Sequence, residues 1–599
     1  MHVRIAVVCV LWVGLGVIRA EAEESVATEL HRLFEDWSQW ERRESPEMAM
    51  SRGDYRYADR ITDSSLAAVE RRHREVAGFL ERLRELEPAE LSETDRLNYD
   101  LFAWMLQERI DRHRFRDFLM VIGARWGVHV QIAQMHEGVR FEREEDYENY
   151  LLRLRQVPRL VDDSIELLKL GLQEGRTPPA VTLQGVPAQF AGLLEEGQLK
   201  ELGSPLREMP GVRMDRREAI RERFEAEVFP VVRKAVVRLR DFVVEEYIPG
   251  CRATIAATDL PDGEAYYAFA VRTFTTTSMT ARQVHEVGLH EVARLRKEML
   301  VVIRASDFLE KFPQAGELDD DALFARFVEY LRTDPRFYHT EADDLVRGYR
   351  DICKRVDAEL PRLFRTLPRL TFGVRPIADY AAPDQTTAYY HPGNIENAQS
   401  STFYVNTYAL DQRPKYEMIP LTLHESVPGH HFQSSLARER ADLPEFRRHL
   451  WLQGFGEGWA VYAEGLGTEM GLYGDPYDDF GRLLYEMWRA CRLVVDTGMH
   501  AFGWSRERAV AFMRENTALS EHNVTTEVDR YISWPGQATA YKIGQLKIRA
   551  LRKQAERELG SRFDVRAFHD ILLAEGTLPL TVLEERVVRW IKQETAKGQ

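Results

Sequence analysis

Apolar residues recur every three or four positions along most of the chain. Between Tyr150 and Leu172, the residues Leu151, Leu154, Val157, Val161, Ile165, Leu168 and Leu172 share one face, and charged residues fill the other. That spacing predicts an amphipathic helix, kinked at Pro158 and stopped near Gly175. Similar patterns run through 23–120, 215–247, 281–304, 342–366, 480–515 and 538–558. Alternation with a period of two is rare. Its clearest case is Ser401 to Thr407, where Phe403 and Val405 alternate with Thr402, Tyr404 and Asn406, as expected of a half-exposed strand. The segment 370–400, rich in Pro, Gly, Asn and Tyr, reads as irregular structure leading into that strand. The predicted fold is mainly α: a large, multi-helix, two-lobed architecture with a small β-sheet. The turn signals Pro249-Gly250 and Pro261-Asp262-Gly263 divide it into an N-terminal helical lobe, 23–255, and a C-terminal lobe, 256–599.

Composition narrows the classes. A chain of 599 residues exceeds one core of ordinary size, which agrees with two lobes. Hydrophobic residues at 44% and charged residues at 30% exclude wholesale disorder. A net charge of -15 and the lack of a basic stripe exclude nucleic acid as a general partner. Residues 1–22 read as a signal peptide: Arg4, an apolar run from Ile5 to Ile18, and a small-residue cleavage site at Ala20-Glu21-Ala22. The protein is therefore expected to be exported, periplasmic or secreted, with an uncleaved anchor as the weaker reading. No later segment reaches the ~18 apolar residues a membrane helix needs, so no stable insertion is expected after cleavage. Cys9 leaves with the signal peptide. Cys251, Cys353 and Cys491 are far apart and odd in number, so buried, unpaired thiols are expected, with at most one bridge.

The strongest chemical signal is His424-Glu425-Ser426-Val427-Pro428-Gly429-His430-His431. Two histidines four apart on a helix can grip zinc while the Glu after the first acts on water. Here position 428 is Pro, and the next histidines lie six and seven residues on. An unbroken helix would put His431 about 10 Å along the axis from His424, whereas zinc–nitrogen bonds are about 2 Å. Pro428 and Gly429 offer a wide turn that brings a histidine back beneath His424. His430, directly after Gly429, is preferred as second ligand, with His431 behind it or facing substrate. The best third ligand is Glu457, in Gly456-Glu457-Gly458-Trp459-Ala460. Glu464 lies seven residues on, on the same apolar, aromatic-rich helix, and is expected to bond a histidine ligand from behind.

Residues 421–433 and 454–465 resemble the bacterial family named domain of unknown function 885, whose hallmarks are His-Glu-x-x-Pro-Gly-His-His and a later Glu-Gly-Trp-Ala. The resemblance extends to His285-Glu286-Val287-Gly288-Leu289, Tyr404-Val405-Asn406-Thr407, and Pro535-Gly536-Gln537-Ala538 leading to Tyr541-Lys542-Ile543-Gly544-Gln545. It covers nearly the whole chain after the signal peptide. It implies a relation to the gluzincin metallopeptidases, in which two histidines and a later glutamate hold zinc. The sheet would then lie beside the active-site helix.

His285-Glu286-Val287-Gly288-Leu289-His290 is a competing stretched motif near a helix start, behind the capping box Thr280-x-x-Gln283. Its two histidines point about 140° apart at 100° per residue, so a second zinc site is disfavoured. The resemblance implies a substrate-binding role for His285. Near the C-terminus, Tyr541 and then Tyr531 are candidates to stabilise charge developing on a carbonyl oxygen, and Arg530 or Lys542 to clamp a substrate carboxylate. Strand 401–407, with Tyr404 and Asn406, is expected to bind an extended peptide by edge addition. The loop Tyr389-Tyr390-His391-Pro392-Gly393 is a further candidate cleft wall. The reading is a hydrolase with one zinc ion on His424, His430 and Glu457 and with Glu425 as general base, cleaving short or unfolded peptides. A zinc hydrolase of another amide or ester, and a non-catalytic metal-binding protein, stay open.

Overall fold

The computed structural model describes residues 25–597, apart from residue 196 and segments 379–381, 383–385 and 396–398. The expected signal peptide lies outside the described residues. The chain is mainly helical, with one small sheet among the described residues.

The chain opens with α1 (Val26–Glu44), α2 (Leu66–Arg84) and α3 (Glu93–His113). Ser25, Ser65 and Ser92 cap them, each side chain accepting a backbone N–H three residues on. Their apolar faces belong to the core of the C-terminal half: Phe34 packs on Phe102 at 5.1 Å and both pack on Phe446 at 5.0 Å. A separate core, drawn from Ile61 and from residues 121 to 251, forms around α4 (Glu144–Leu154), α5 (Val157–Glu174) and α6 (Phe229–Phe242). The expected lobe 23–255 thus divides between two cores. The single kinked helix expected over 150–172 is two helices. Arg155 and Gln156 separate them, and Pro158 sits in the first turn of α5, where its missing N–H costs nothing. α5 ends at Gly175, whose φ of 67° is cheap only for glycine.

The C-terminal half includes α7 (Gly263–Thr275), α8 (Ala281–Ala305), α9 (Ala342–Leu363), α10 (Met418–Glu425), α11 (His430–Arg438), α12 (Gln453–Leu466), α13 (Pro476–Ala501), α14 (Glu521–Ser533) and α15 (Ala540–Leu559). Two glycine contacts set its frame. A Cβ at Gly288 of α8 would lie 2.8 Å from Leu493 and Val494 of α13, so the absence of a side chain lets these long helices close up. A Cβ at Gly458 of α12 would lie 2.5 Å from Gly544 Cα of α15, and one at Gly544 would strike the Gly454 carbonyl, so these helices touch backbone to backbone.

The sheet holds β1 (Phe372–Pro376), β2 (Ala388–His391) and β3 (Ser401–Val405) in the order β1-β3-β2. β3 runs parallel to β1, with Phe372 opposite Ser401, and antiparallel to β2, with Ala388 opposite Val405. β2 packs against α10, and Phe403 lies edge-on to Tyr349 of α9 at 5.4 Å. The half-exposed strand expected at 401–407 is instead the buried centre of the sheet. Both its edges are taken, so it cannot add a peptide by edge pairing. Cys353 and Cys491 are buried free thiols and Cys251 is a partly buried one.

Candidate metal centre

α10 stops at Glu425 because the next residues cannot continue it. Ser426 leaves the helical region, the Val427–Pro428 peptide is cis, and α11 starts afresh at His430. Gly429 makes the return possible: a Cβ there would collide with the carbonyl oxygens of Leu423 and His424, on which the chain folds back. The Pro428 carbonyl accepts the indole N–H of buried Trp459 at 2.8 Å. The segment 456–459 therefore has a physical role at each position. Gly456 lies under the Trp451 ring, Glu457 faces the histidines, Gly458 lets α15 approach, and Trp459 holds the turn.

His424 Nε2 lies 3.5 Å from Glu457 Oε2, and His430 Nε2 lies 3.4 Å from the same oxygen. Ligand atoms of all three residues fall within 4.8 Å of one another. Tetrahedral zinc with bonds of about 2.1 Å needs donor atoms about 3.4 Å apart. Glu457 Oε2 and His430 Nδ1 are buried without a hydrogen-bond partner. A buried carboxylate oxygen that meets two imidazoles without a hydrogen bond is costly, and a divalent cation shared by the three would remove that cost. The donor set thus fits zinc. On the far side, His424 Nδ1 donates to Glu464 Oε1 at 2.8 Å, which turns its Nε2 toward the cluster. Arg489 pairs with Glu464 at 3.3 Å. Burial opposes a charge on His424, but Glu457 and Glu464 outweigh it and push its pKa up to about 9. Burial raises the Glu425 carboxyl; His424, His430 and Arg489 act against that shift. Glu425 is half-buried, within reach of all three ligands' charges.

Tyr541, half-buried, stacks parallel to His424 with ring centroids 6.5 Å apart. The Arg492 guanidinium lies 4.3 Å from its ring centroid, and Gln537 Nε2 donates to its hydroxyl at 3.3 Å. Arg530 supports this arrangement from behind. It donates to Gln537 Oε1 at 2.7 Å and to Glu527 at 3.0–3.3 Å, so its guanidinium is already occupied.

Four other expected site residues lie elsewhere. Tyr531 is fully buried; its hydroxyl accepts from Trp488 and Arg492 and donates to Glu527, which leaves nothing for a carbonyl. Lys542 is fully buried between Glu291 at 3.0 Å and Glu486 at 2.6 Å, so its ammonium is already paired. His431 is buried among Phe372, Tyr390 and Ser435, and burial pushes its pKa down to about 4. His285 bonds Thr497 at 2.8 Å and packs on Phe502 and Trp504; its contacts include no residue of the centre. Of the strand pair, Asn406 is buried and ties the turn after β3 through the Ala382 and Thr386 carbonyls. Tyr404 stacks on Tyr389 within the sheet. Sequence reasoning missed Arg489, Arg492 and Gln537. Their signal was position: Arg489 and Arg492 lie one helical turn apart on α13, and Gln537 precedes Tyr541 by one turn.

The protein is of a mainly helical class with known structural relatives. A crystal structure described as a candidate lipoprotein from Colwellia psychrerythraea matches with a TM-score of 0.86 and 25% identity over 95% of this chain and 100% of that one. A candidate lipoprotein of unknown function from Shewanella oneidensis matches with a TM-score of 0.69 and 18% identity, over 94% and 100%, a likeness of fold alone. No curated protein matches the chain. Residues 46–587 match the family described as bacterial protein of unknown function, DUF885, and the chain belongs to that family. No helix among the described residues is long and apolar enough to cross a membrane.

Proposed function

We propose that this protein is an exported, zinc-dependent hydrolase that cleaves peptide bonds in short or unfolded peptides, with a gluzincin-like centre. One observation carries the reading: His424, His430 and Glu457 converge beside a half-buried Glu425 whose carboxyl feels the charges of all three. Export is supported by the leader-like first 22 residues and by the description of both structural relatives as candidate lipoproteins.

His424 Nε2, His430 Nε2 and Glu457 Oε2 are the atoms that would hold the ion. Bound zinc supplies a Lewis acid that acidifies water and polarises the substrate carbonyl. Glu425 accepts the proton of the attacking water and returns it to the leaving amine nitrogen. The Tyr541 hydroxyl, positioned by Gln537 and Arg530, donates to the carbonyl oxygen as negative charge develops there. Glu464 keeps the Nδ1 proton on His424 and so fixes its tautomer. The exposed ring of Trp451 lies 5.5 Å from His430.

The test is Glu425→Gln, read by metal analysis and by digestion of a mixed peptide library. The variant is expected to keep one zinc per chain and to lose about 10²–10⁴-fold in turnover. Unchanged turnover, or an unaltered protein that cleaves nothing with zinc restored after chelation, would sink the assignment.

A further inference from the structure

Beyond the centre, one group of side chains carries more positive charge than its surroundings balance. Arg438 ends α11, and its only hydrogen bond among the described residues is a long one to the Gly393 carbonyl, 3.5 Å from Nη1. Arg448 lies nearby with a buried Nε that has no acceptor. The neighbouring carboxylates are already shared. Glu41 takes Arg52 at 3.0 Å and Arg109 at 2.9 Å. Glu445 takes Arg42 and Arg52. Asp54 takes Arg56 at 2.6 Å and Arg42 at 3.7 Å. Among the described residues two guanidinium groups are left over, partly buried, in a chain whose net charge is -15.

Two imidazoles flank this surplus. His391, at the end of β2, lies close enough to Arg438 for that charge, after partial desolvation of the ring, to lower its pKa. His449 is pushed down to about 3 by burial and by Arg52, Arg438, Arg448 and Arg42, so it is a neutral hydrogen-bonding group. His449 lines a cavity of about 360 Å³ together with Trp451, and Trp451 touches His430. The link from the centre to the surplus charge is α11 itself, which begins at His430 and ends at Arg438. Arg438 follows His430 by eight residues of one helix, about 12 Å of axis at 1.5 Å per residue. An extended peptide covers about 3.4 Å per residue, so that gap corresponds to on the order of three residues.

A partly buried guanidinium without a counter-charge is costly, and its planar fork matches a carboxylate in two parallel hydrogen bonds. We propose that Arg438 and Arg448, with His391 and His449 beside them, form a subsite for a peptide carboxylate, on the order of three residues from the bond held at the centre. This rests on the hydrolase reading only for its consequence, a preference for such peptides as substrates. The loop Tyr389–Gly393 then forms part of the subsite wall, through His391 and the Gly393 carbonyl.

The probe is a hexapeptide of alanine and leucine in three forms: free C-terminal carboxylate, C-terminal amide, and the amide with glutamate as its last residue. Binding to zinc-loaded Glu425→Gln protein is measured by calorimetry, and cleavage by the unaltered protein. The free acid is expected to bind at least ten times more tightly than the plain amide. Arg438→Gln and Arg448→Gln should each reduce that ratio. If the glutamate amide binds as well as the free acid, the subsite accepts any carboxylate; if it does not, the subsite reads the chain terminus. Equal affinity for acid and amide, no binding of any form, or a preference that survives both substitutions overturns the proposal. The acid–amide comparison needs no substitution in the subsite, so it stands even if an arginine variant folds poorly. A binding preference without cleavage of any peptide would sink the hydrolase reading and leave the subsite standing.

Discussion

Two stretches of this chain look alike in sequence and behave differently in space. His424 to His430 and His285 to His290 each hold a His-Glu pair, a glycine and a displaced histidine. In the first, the glycine sits at a break, and the chain folds back on its own carbonyls until both imidazoles approach Glu457. In the second, the glycine sits inside the unbroken α8, where it admits α13. His285 then bonds Thr497, and His290 stays 80% exposed beside Glu291. The lesson is that composition alone does not make a centre. The glycine does so only where the backbone must turn within the motif.

The largest difference should come from adding one methyl group to each glycine. Gly429→Ala is expected to weaken zinc binding by more than about a hundredfold, because the return toward Glu457 is blocked. Gly288→Ala is expected to keep a full complement of zinc and lose about 1–3 kcal/mol of stability through overpacking. Metal analysis and urea unfolding of the two variants check this. Zinc loss in Gly288→Ala would erase the distinction.

Next come the two tyrosines. Tyr541→Phe should lower turnover by about 10²-fold with zinc retained. Tyr531→Phe should leave turnover near that of the unaltered protein. It should cost about 1–3 kcal/mol, since Trp488 and Arg492 lose their acceptor. Glu464→Gln should weaken zinc about 10–100-fold, read by competition with a chelating dye.

The pH dependence of stability probes the α13 side of the comparison. Asp496, next to the Thr497 that holds His285, is buried, and burial pushes its pKa from 3.8 to about 7 against the Tyr267 and Gly536 hydrogen bonds. The folded chain thus holds a proton that the unfolded chain releases. That contribution is full below about pH 4 and is lost as pH rises to about 7. Asp496→Asn should flatten that fall, seen in urea unfolding at pH 5 and pH 8. The smallest effect is expected for His290→Ala, within about 0.5 kcal/mol and with no change in zinc.

Much of this was legible in the residues. Helices were visible because apolar faces repeat, and the break at Pro428-Gly429 because one residue lacks an N–H and the next lacks a Cβ. Glu457 and Glu464 stood out as carboxylates on an apolar helix. What escaped was pairing across long stretches of chain. Nothing local to Lys542 says that Glu291 and Glu486 enclose it, and nothing near Tyr531 announces Arg492 and Glu527. Strand 401–405 showed its alternation, but its two neighbours lay in a segment that carried only turn signals.

The backbone contact between Gly458 and Gly544 has a mechanical consequence. No side chain lies between α12 and α15 there to serve as a compressible spacer, so Glu457 and Tyr541 ride on one rigid block. A displacement of either helix is passed to the other undamped. The spacing between the carboxylate and the phenol is thereby a property of the main chain, insensitive to how neighbouring side chains repack.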